Sequence, residues 1–190
     1  LIKAVSELKT KPTQHSVKIA LSQGIQPDIL LLRAETAVPK DVKEKIALFC
    51  NVPASCIINC PDARTIYEVP LLLHEEGLDE IIVKHLNIWA RKPDLTSWQS
   101  VMNRFTNPLK SVEIAIVGKY VELTESYKSI NEALIHAGIF HQVKIDFNYI
   151  DSEDLTSDTL EKTLAGSQAI LVPGGFGERG VQGKIMAIKY

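Results

Sequence analysis

The chain is short of cysteine, of charge of one sign and of long apolar runs, and each shortage narrows what it can be. Only three of its 190 residues are cysteines, Cys50, Cys56 and Cys60, and no two of them form a Cys-x-x-Cys pair. An odd, sparse set among apolar neighbours indicates neither a disulfide framework nor a zinc site, and it suits a reducing cytoplasm. These cysteines read as small buried hydrophobes. Lys plus Arg number 21 against 23 Asp plus Glu, a formal charge of -2, so the overall balance offers no broad surface to nucleic acid or to an anionic membrane. Any anion must be met by local lysines. The longest apolar runs, Ile29 to Leu32 and Leu71 to Leu73, fall far short of the roughly 18 residues of a membrane-spanning helix. With 45% hydrophobic and 23% charged residues, the composition is that of an ordinary globular protein. Position 1 is Leu, no signal-peptide pattern opens the chain, and Val181 to Tyr190 read as a helix still in progress. A piece of a longer chain is therefore expected.

Hydrophobic periodicity divides the chain near residue 108. In the first part Ser16 is expected to cap a short helix through Leu21 that Gly24 closes, and Asp28 to Arg33 forms a continuous apolar run suited to a buried parallel strand. Pro39 precedes a helical pattern from Asp41 to Cys50, Cys56 to Asn59 reads as a strand, and Thr65 to Glu76 as a helix that Pro70 kinks or divides and Gly77 stops. Asp94 or Thr96 starts a helix with Trp98, Val101, Met102 and Phe105 on one stripe. Turn chemistry marks residues 106–111 as a linker between residues 1–105 and 112–190. Beyond it the order is strand (Val112 to Val117), helix (Ser126 to Ala137, ended by Gly138), strand (Val143 to Ile150), helix (Thr159 to Leu164) and strand (Ala169 to Val172). That rhythm is the start of a doubly wound α/β sheet, whose strand ends carry function.

Two stretches bear chemistry. In Lys9-Thr-Lys-Pro-Thr-Gln14 two ammonium groups suit polyphosphate oxygens, the hydroxyls donate to them, and the Gln14 amide suits a base edge or ribose. The same residues also read as an exposed polar loop. In Pro173-Gly-Gly-Phe-Gly-Glu-Arg-Gly180 a glycine loop sits between strand and helix, where peptide N–H groups can turn toward an oxyanion. It reads equally as a tight, closely packed turn, and it is not a P-loop. The cysteines stand in no nucleophile elbow, so the chain lacks an attacking group for acyl transfer. His15, His74, His85, His136 and His141 make no metal pattern and take no catalytic role, and Glu75, Glu76, Asp79 and Glu80 read as a solvated face around Gly77.

Lys9-Thr-Lys-Pro-Thr-Gln-His-Ser16, Lys45-Ile-Ala-Leu-Phe-Cys-Asn51, Ile116-Val-Gly-Lys-Tyr120 and Leu171-Val-Pro-Gly-Gly-Phe-Gly177 occur in the order and approximate spacing of CTP synthase, which the chain resembles over practically its whole length. The resemblance implies the C-terminal part of a P-loop-like synthetase (amidoligase) domain, then the N-terminal part of a doubly wound class I glutamine amidotransferase domain. The activity it implies is ATP-dependent amination of UTP to CTP, with ammonia from glutamine. Lys9, Thr10, Lys11, Pro12, Thr13, Gln14 and Lys45 match positions that bind UTP, and CTP as feedback inhibitor. Asp62 and Ala63 match ATP contacts, although Pro61 stands where the family often has lysine. Gly175 matches the glycine that binds glutamine and contributes to the oxyanion hole. The resemblance places the magnesium ligands, the remainder of the ATP site and the catalytic triad outside residues 1 to 190, leaving no catalytic residue within them. It further implies a cytoplasmic homotetramer. Two alternatives stand beside it: another class I glutamine amidotransferase, and a non-catalytic nucleotide-binding assembly subunit. With three strands of a larger sheet, the second part is expected to be unstable or self-associating alone.

Overall fold

The computed structural model describes residues 2–4 and 7–190. It is an α/β structure that divides into two compact units, residues 1–95 and 96–190. No helix among the described residues is long and apolar enough to cross a membrane.

The first unit opens on an antiparallel pair, β1 (Ile2–Ala4) and β2 (Glu7–Lys9). Helix α1 (Lys11–Ser22) follows without a loop. The expected start at Ser16 is wrong by more than a turn. Pro12 occupies the first turn, where its missing N–H has no partner to lose and its fixed φ already suits a helix. Ser16 is interior, its hydroxyl donating back to the Pro12 carbonyl at 3.0 Å. Next come β3 (Leu30–Arg33), α2 (Lys40–Cys50) and β4 (Ile57–Cys60), with β3 parallel to β4 and Leu30 opposite Ile57. Along α2, Ile46 and Cys50 stand one turn apart and are fully buried. They pack with Val17, Leu32, Val38, Val52, Cys56 and Ile57 into one core. Strand β3 is not buried on both faces as its apolar run suggests: Leu32 is inside, whereas Leu31 is 47% exposed. Pro70 divides the next helical segment as expected, leaving a 3-10 turn at Ile66–Glu68 and α3 (Val69–Glu75). Gly77, with φ +77°, then leads directly into α4 (Leu78–His85), an element the sequence reading missed.

The second unit holds α5 (Thr96–Thr106), β5 (Lys110–Gly118), α6 (Lys128–His141), β6 (Val143–Asp151), α7 (Leu160–Leu164), β7 (Ala169–Leu171) and α8 (Val181–Lys189). Its sheet is parallel in the order β6-β5-β7, with Ile114 opposite both Phe147 and Ala169. Central β5 is buried from Ile114 to Gly118. Ala115 and Val117 meet Ile150, Leu155, Leu164 and Ala187 in the core. The seam falls earlier than residues 106–111. Helix α5 packs on α6, the Arg104 guanidinium donates to the Phe140 carbonyl at 3.3 Å, and the Leu109 N–H donates to the Gln142 carbonyl at 2.8 Å. Lys110 and Ser111 already belong to β5.

Gly138 does not end its helix either; α6 runs on to His141 and stops where Gln142 turns left-handed at φ 55°. A methyl group on Gly138 would lie 2.6 Å from the Val143 carbonyl oxygen. The residue is a glycine because α6 lies against the strand that follows it.

Candidate functional site

Chemistry-bearing residues gather at one place in the first unit and another in the second. In the first, Lys9 ends β2, Thr10 precedes α1, and Lys11 to Gln14 make its first turn. What read as a polar loop is therefore the ordered N-terminus of a helix. Its leading N–H groups lack intrahelical acceptors and lie at the positive end of the helix dipole, which favours an anion. Lys9, Lys11 and Pro12 are exposed, Thr13 and Gln14 half-buried, and Thr10 is buried. The Gln14 amide donates to the Thr10 hydroxyl oxygen at 3.1 Å, so this side chain braces the turn. Lys45 is exposed on α2, the helix packed against α1.

Asp62 and Ala63 follow the C-terminal end of β4. There the Asp62 carboxylate pairs with Arg33, at the end of the neighbouring strand. The same guanidinium donates to the Ala34 carbonyl at 3.0 Å and to the Cys60 carbonyl at 3.4 Å. Asp62 is thus held at the carboxyl edge of the parallel pair, the edge where α/β proteins present ligand-binding groups.

The acidic run around Gly77 is a solvated face only in part: Glu75 and Glu80 are exposed, whereas Glu76 and Asp79 are half-buried and partnered. Glu76 accepts from the Asn59 backbone N–H at 2.8 Å, the Asn59 side-chain amide at 3.1 Å and the Lys43 ammonium at 2.9 Å. Burial by itself pushes the Glu76 carboxyl up, but the Asn59 and Lys43 donors outweigh it and hold the group below its ordinary value. Asn59 in turn accepts from the Val38 N–H at 2.9 Å. Asp79 sits 2.7 Å from the His74 ring nitrogen. Cys56 is not merely a packed hydrophobe, since its sulfur lies 3.3 Å from the His85 ring.

In the second unit the glycine loop leaves β7 and enters α8, at the carboxyl end of the sheet. Gly174, Gly175, Phe176 and Gly177 are exposed, and Gly177 and Gly180 have φ of +80° and +68°. Two lysines reach the loop from the elements flanking it. The Lys119 ammonium donates to the Phe176 carbonyl at 2.9 Å, and the Lys184 ammonium to the Pro173 carbonyl at 2.9 Å. A methyl group on Gly175 would lie 3.3 Å from the Lys184 nitrogen. Arg179 pairs with Glu153 at 2.8 Å and stands 5.4 Å from the centre of the Tyr120 ring. That guanidinium holds the Glu153 carboxyl below its usual range.

Sequence reasoning found the loop and missed both lysines, because Lys119 precedes its carbonyl partner by 57 residues. Among the described residues no three His, Cys, Asp or Glu side chains are placed to hold a metal ion.

The family model described as CTP synthase N-terminus matches residues 1–88. Curated proteins named CTP synthase match the whole chain: 58% identity for that of Geobacter metallireducens, 57% for Geotalea uraniireducens and 56% for Geobacter sulfurreducens. In each case 100% of this chain is covered, against 35%, 36% and 35% of the relative, so the chain spans about a third of their length. A solved structure, the Trypanosoma brucei CTPS glutaminase domain with bound acivicin, is similar over 41% of this chain and 31% of its own, at 44% identity and a TM-score of 0.38. Over its whole length, then, the chain is similar to about a third of the length of proteins named CTP synthase.

Proposed function

We propose that this chain is part of a glutamine-dependent CTP synthase, a cytoplasmic enzyme that phosphorylates the 4-oxygen of UTP with ATP and displaces the phosphate with ammonia taken from glutamine. The observation that carries the reading is identity of 51–58% with proteins of that name over essentially the whole chain. In this reading the first part closes a P-loop-like synthetase domain and the second opens a doubly wound class I glutaminase domain. Lys9 to Gln14, with Lys45, hold the triphosphate of UTP or of CTP acting as inhibitor. The exposed lysines at the N-terminus of α1 support this assignment, because ammonium groups and helix N–H groups there both favour anionic oxygens. Asp62 and Ala63 adjoin ATP at the carboxyl ends of β3 and β4. Gly175 faces glutamine with its peptide N–H, where a donor stabilises the oxyanion formed during acyl transfer.

Magnesium bound with ATP neutralises phosphate charge during transfer; the carboxylates described above are given no part in holding it. A homotetramer, with each UTP site shared between neighbouring synthetase domains, belongs to the same reading.

The test is conversion of UTP to CTP by the full-length protein that contains this sequence, with ATP, magnesium and either glutamine or free ammonia. Product from both nitrogen sources is expected. Product from ammonia alone would remove the glutaminase assignment. No product from well-folded protein would overturn the synthase reading and leave a non-catalytic nucleotide-binding subunit or another amidotransferase.

A further inference from the structure

The glycine loop that carries Gly175 has an unusual support. With Gly at positions 174, 175 and 177, its peptide planes meet little steric resistance to flipping. A flip would be harmful to any oxyanion site, because the C=O and N–H of a trans peptide point in opposite directions, and rotation replaces a donor with an acceptor.

Two of these planes are pinned from outside the loop. The Lys184 ammonium holds the Pro173 carbonyl, fixing the plane that ends in the Gly174 N–H. The Lys119 ammonium holds the Phe176 carbonyl at 2.9 Å, with the Gly177 carbonyl at 3.5 Å, fixing the plane that ends in the Gly177 N–H. Between the pinned planes lie only the two peptides that present the N–H groups of Gly175 and Phe176. Lys119 is itself braced. Its carbonyl accepts from the Tyr127 hydroxyl, and it directly follows the buried Gly118 of β5. Gly118 has no space for a side chain because the Tyr127 ring and hydroxyl lie against it. The clamp therefore starts from the rigid centre of the sheet and ends on the most mobile type of backbone.

We propose that Lys119 is a positioning residue for glutamine hydrolysis: by holding the Phe176 and Gly177 carbonyls it keeps the donors of Gly175 and Phe176 turned toward the developing oxyanion, with Lys184 anchoring the opposite side. The proposal rests on the amidotransferase reading above. It assigns Lys119 no contact with the substrate.

The experiment uses the full-length protein with Lys119→Met, which keeps the length of the side chain and removes its donors. Expected is a fall of about tenfold or more in kcat for glutamine hydrolysis, with KM changed less than about threefold and ammonia-dependent CTP formation unchanged. That loss is smaller than the roughly 10²–10³-fold cost of removing an oxyanion donor itself. Lys119→Arg, which still reaches a carbonyl with N–H donors, is expected to recover part of kcat. Hydrolysis by Lys119→Met within about twofold of the parent overturns the clamp, as does an equal loss of ammonia-dependent synthesis. Should Lys119→Met fail to fold, Lys119→Leu, which also lacks a donor, takes its place with the same expectation, and full kcat in that variant overturns the clamp. A folded parent that makes CTP from ammonia and hydrolyses no glutamine overturns the amidotransferase reading and the clamp together, so the two failures are told apart by the parent's own activity.

Discussion

At the scale of single residues, Lys11 in the first turn of α1 and Glu76 illustrate opposite uses of charge. Lys11 is exposed at a helix N-terminus, where its charge opposes the dipole and, in the proposed reading, meets the nucleotide triphosphate. Lys11→Ala in the full-length protein is expected to weaken UTP by about tenfold or more, since a charge-assisted hydrogen bond contributes roughly 1.5–3 kcal/mol. Glutamine hydrolysis without nucleotide should be unaffected; an equal loss of both would refute the assignment. Glu76 is instead structural. Its carboxylate gathers three donors from Asn59 and Lys43, and Glu76→Gln should lower stability by about 1–3 kcal/mol at neutral pH by leaving buried donors poorly matched. Because the folded-state value lies below the ordinary one, ionised Glu76 stabilises the fold above the unfolded-state pKa. That contribution disappears as acid protonates the folded carboxylate. Chemical denaturation followed from neutral pH into the acid range should therefore show a shallower loss of stability in Glu76→Gln than in the parent.

At the scale of elements, glycines separate what could be read in advance from what could not. Gly138 looks like a helix stop, yet it sits where a methyl group would lie 2.6 Å from the Val143 carbonyl oxygen. Gly138→Ala would gain about 1 kcal/mol from helix propensity alone. The clash with main chain should reverse the sign and leave a net destabilisation of about 1–3 kcal/mol, whereas Gly166→Ala, with only the Glu113 carboxylate 3.8 Å away, should be nearly neutral. Thermal denaturation of the two variants checks this contrast. Gly77 misled the reading for a related reason: a left-handed glycine can close one helix and open the next, and α4 begins at the following residue. The parallel strands were legible from apolar runs such as Ile114 to Val117, although the run at β3 overstated its burial, and the short β1 and β2 were missed. The start of α1 was not legible, since Ser16 resembles a cap while Pro12, a true first-turn residue, resembles loop chemistry. The candidate site was legible where it is local, in Lys9 to Gln14 and Pro173 to Gly180. It was illegible where chain topology supplies the partner, as for Lys119 on Phe176, Arg33 on Asp62 and Lys43 on Glu76.

At the scale of the whole molecule, much apolar surface stays in water. Leu48 is 79% exposed, Trp89 84%, Phe140 71% and Ile188 69%, and β7 pairs only with β5 among the described residues. Open strand edges and exposed apolar side chains favour association. Sedimentation velocity of the 190-residue chain alone should therefore show concentration-dependent self-association, and a monomer with a single cooperative melting transition would contradict it. Where α8 meets the end of β6, in contrast, the molecule has no slack. Gly180 turns left-handed against the Ser152 hydroxyl, and Gly183 lies against the Ser152 main chain with no space for a Cβ. In a saturation library these two positions should admit glycine and almost nothing else, while fully exposed Phe176 a few residues away admits polar and charged residues without loss of folding. The loop most involved in the proposed chemistry is thus bordered by positions closed to sequence drift, so variation in this stretch should accumulate at the surface of the loop and not at its hinge.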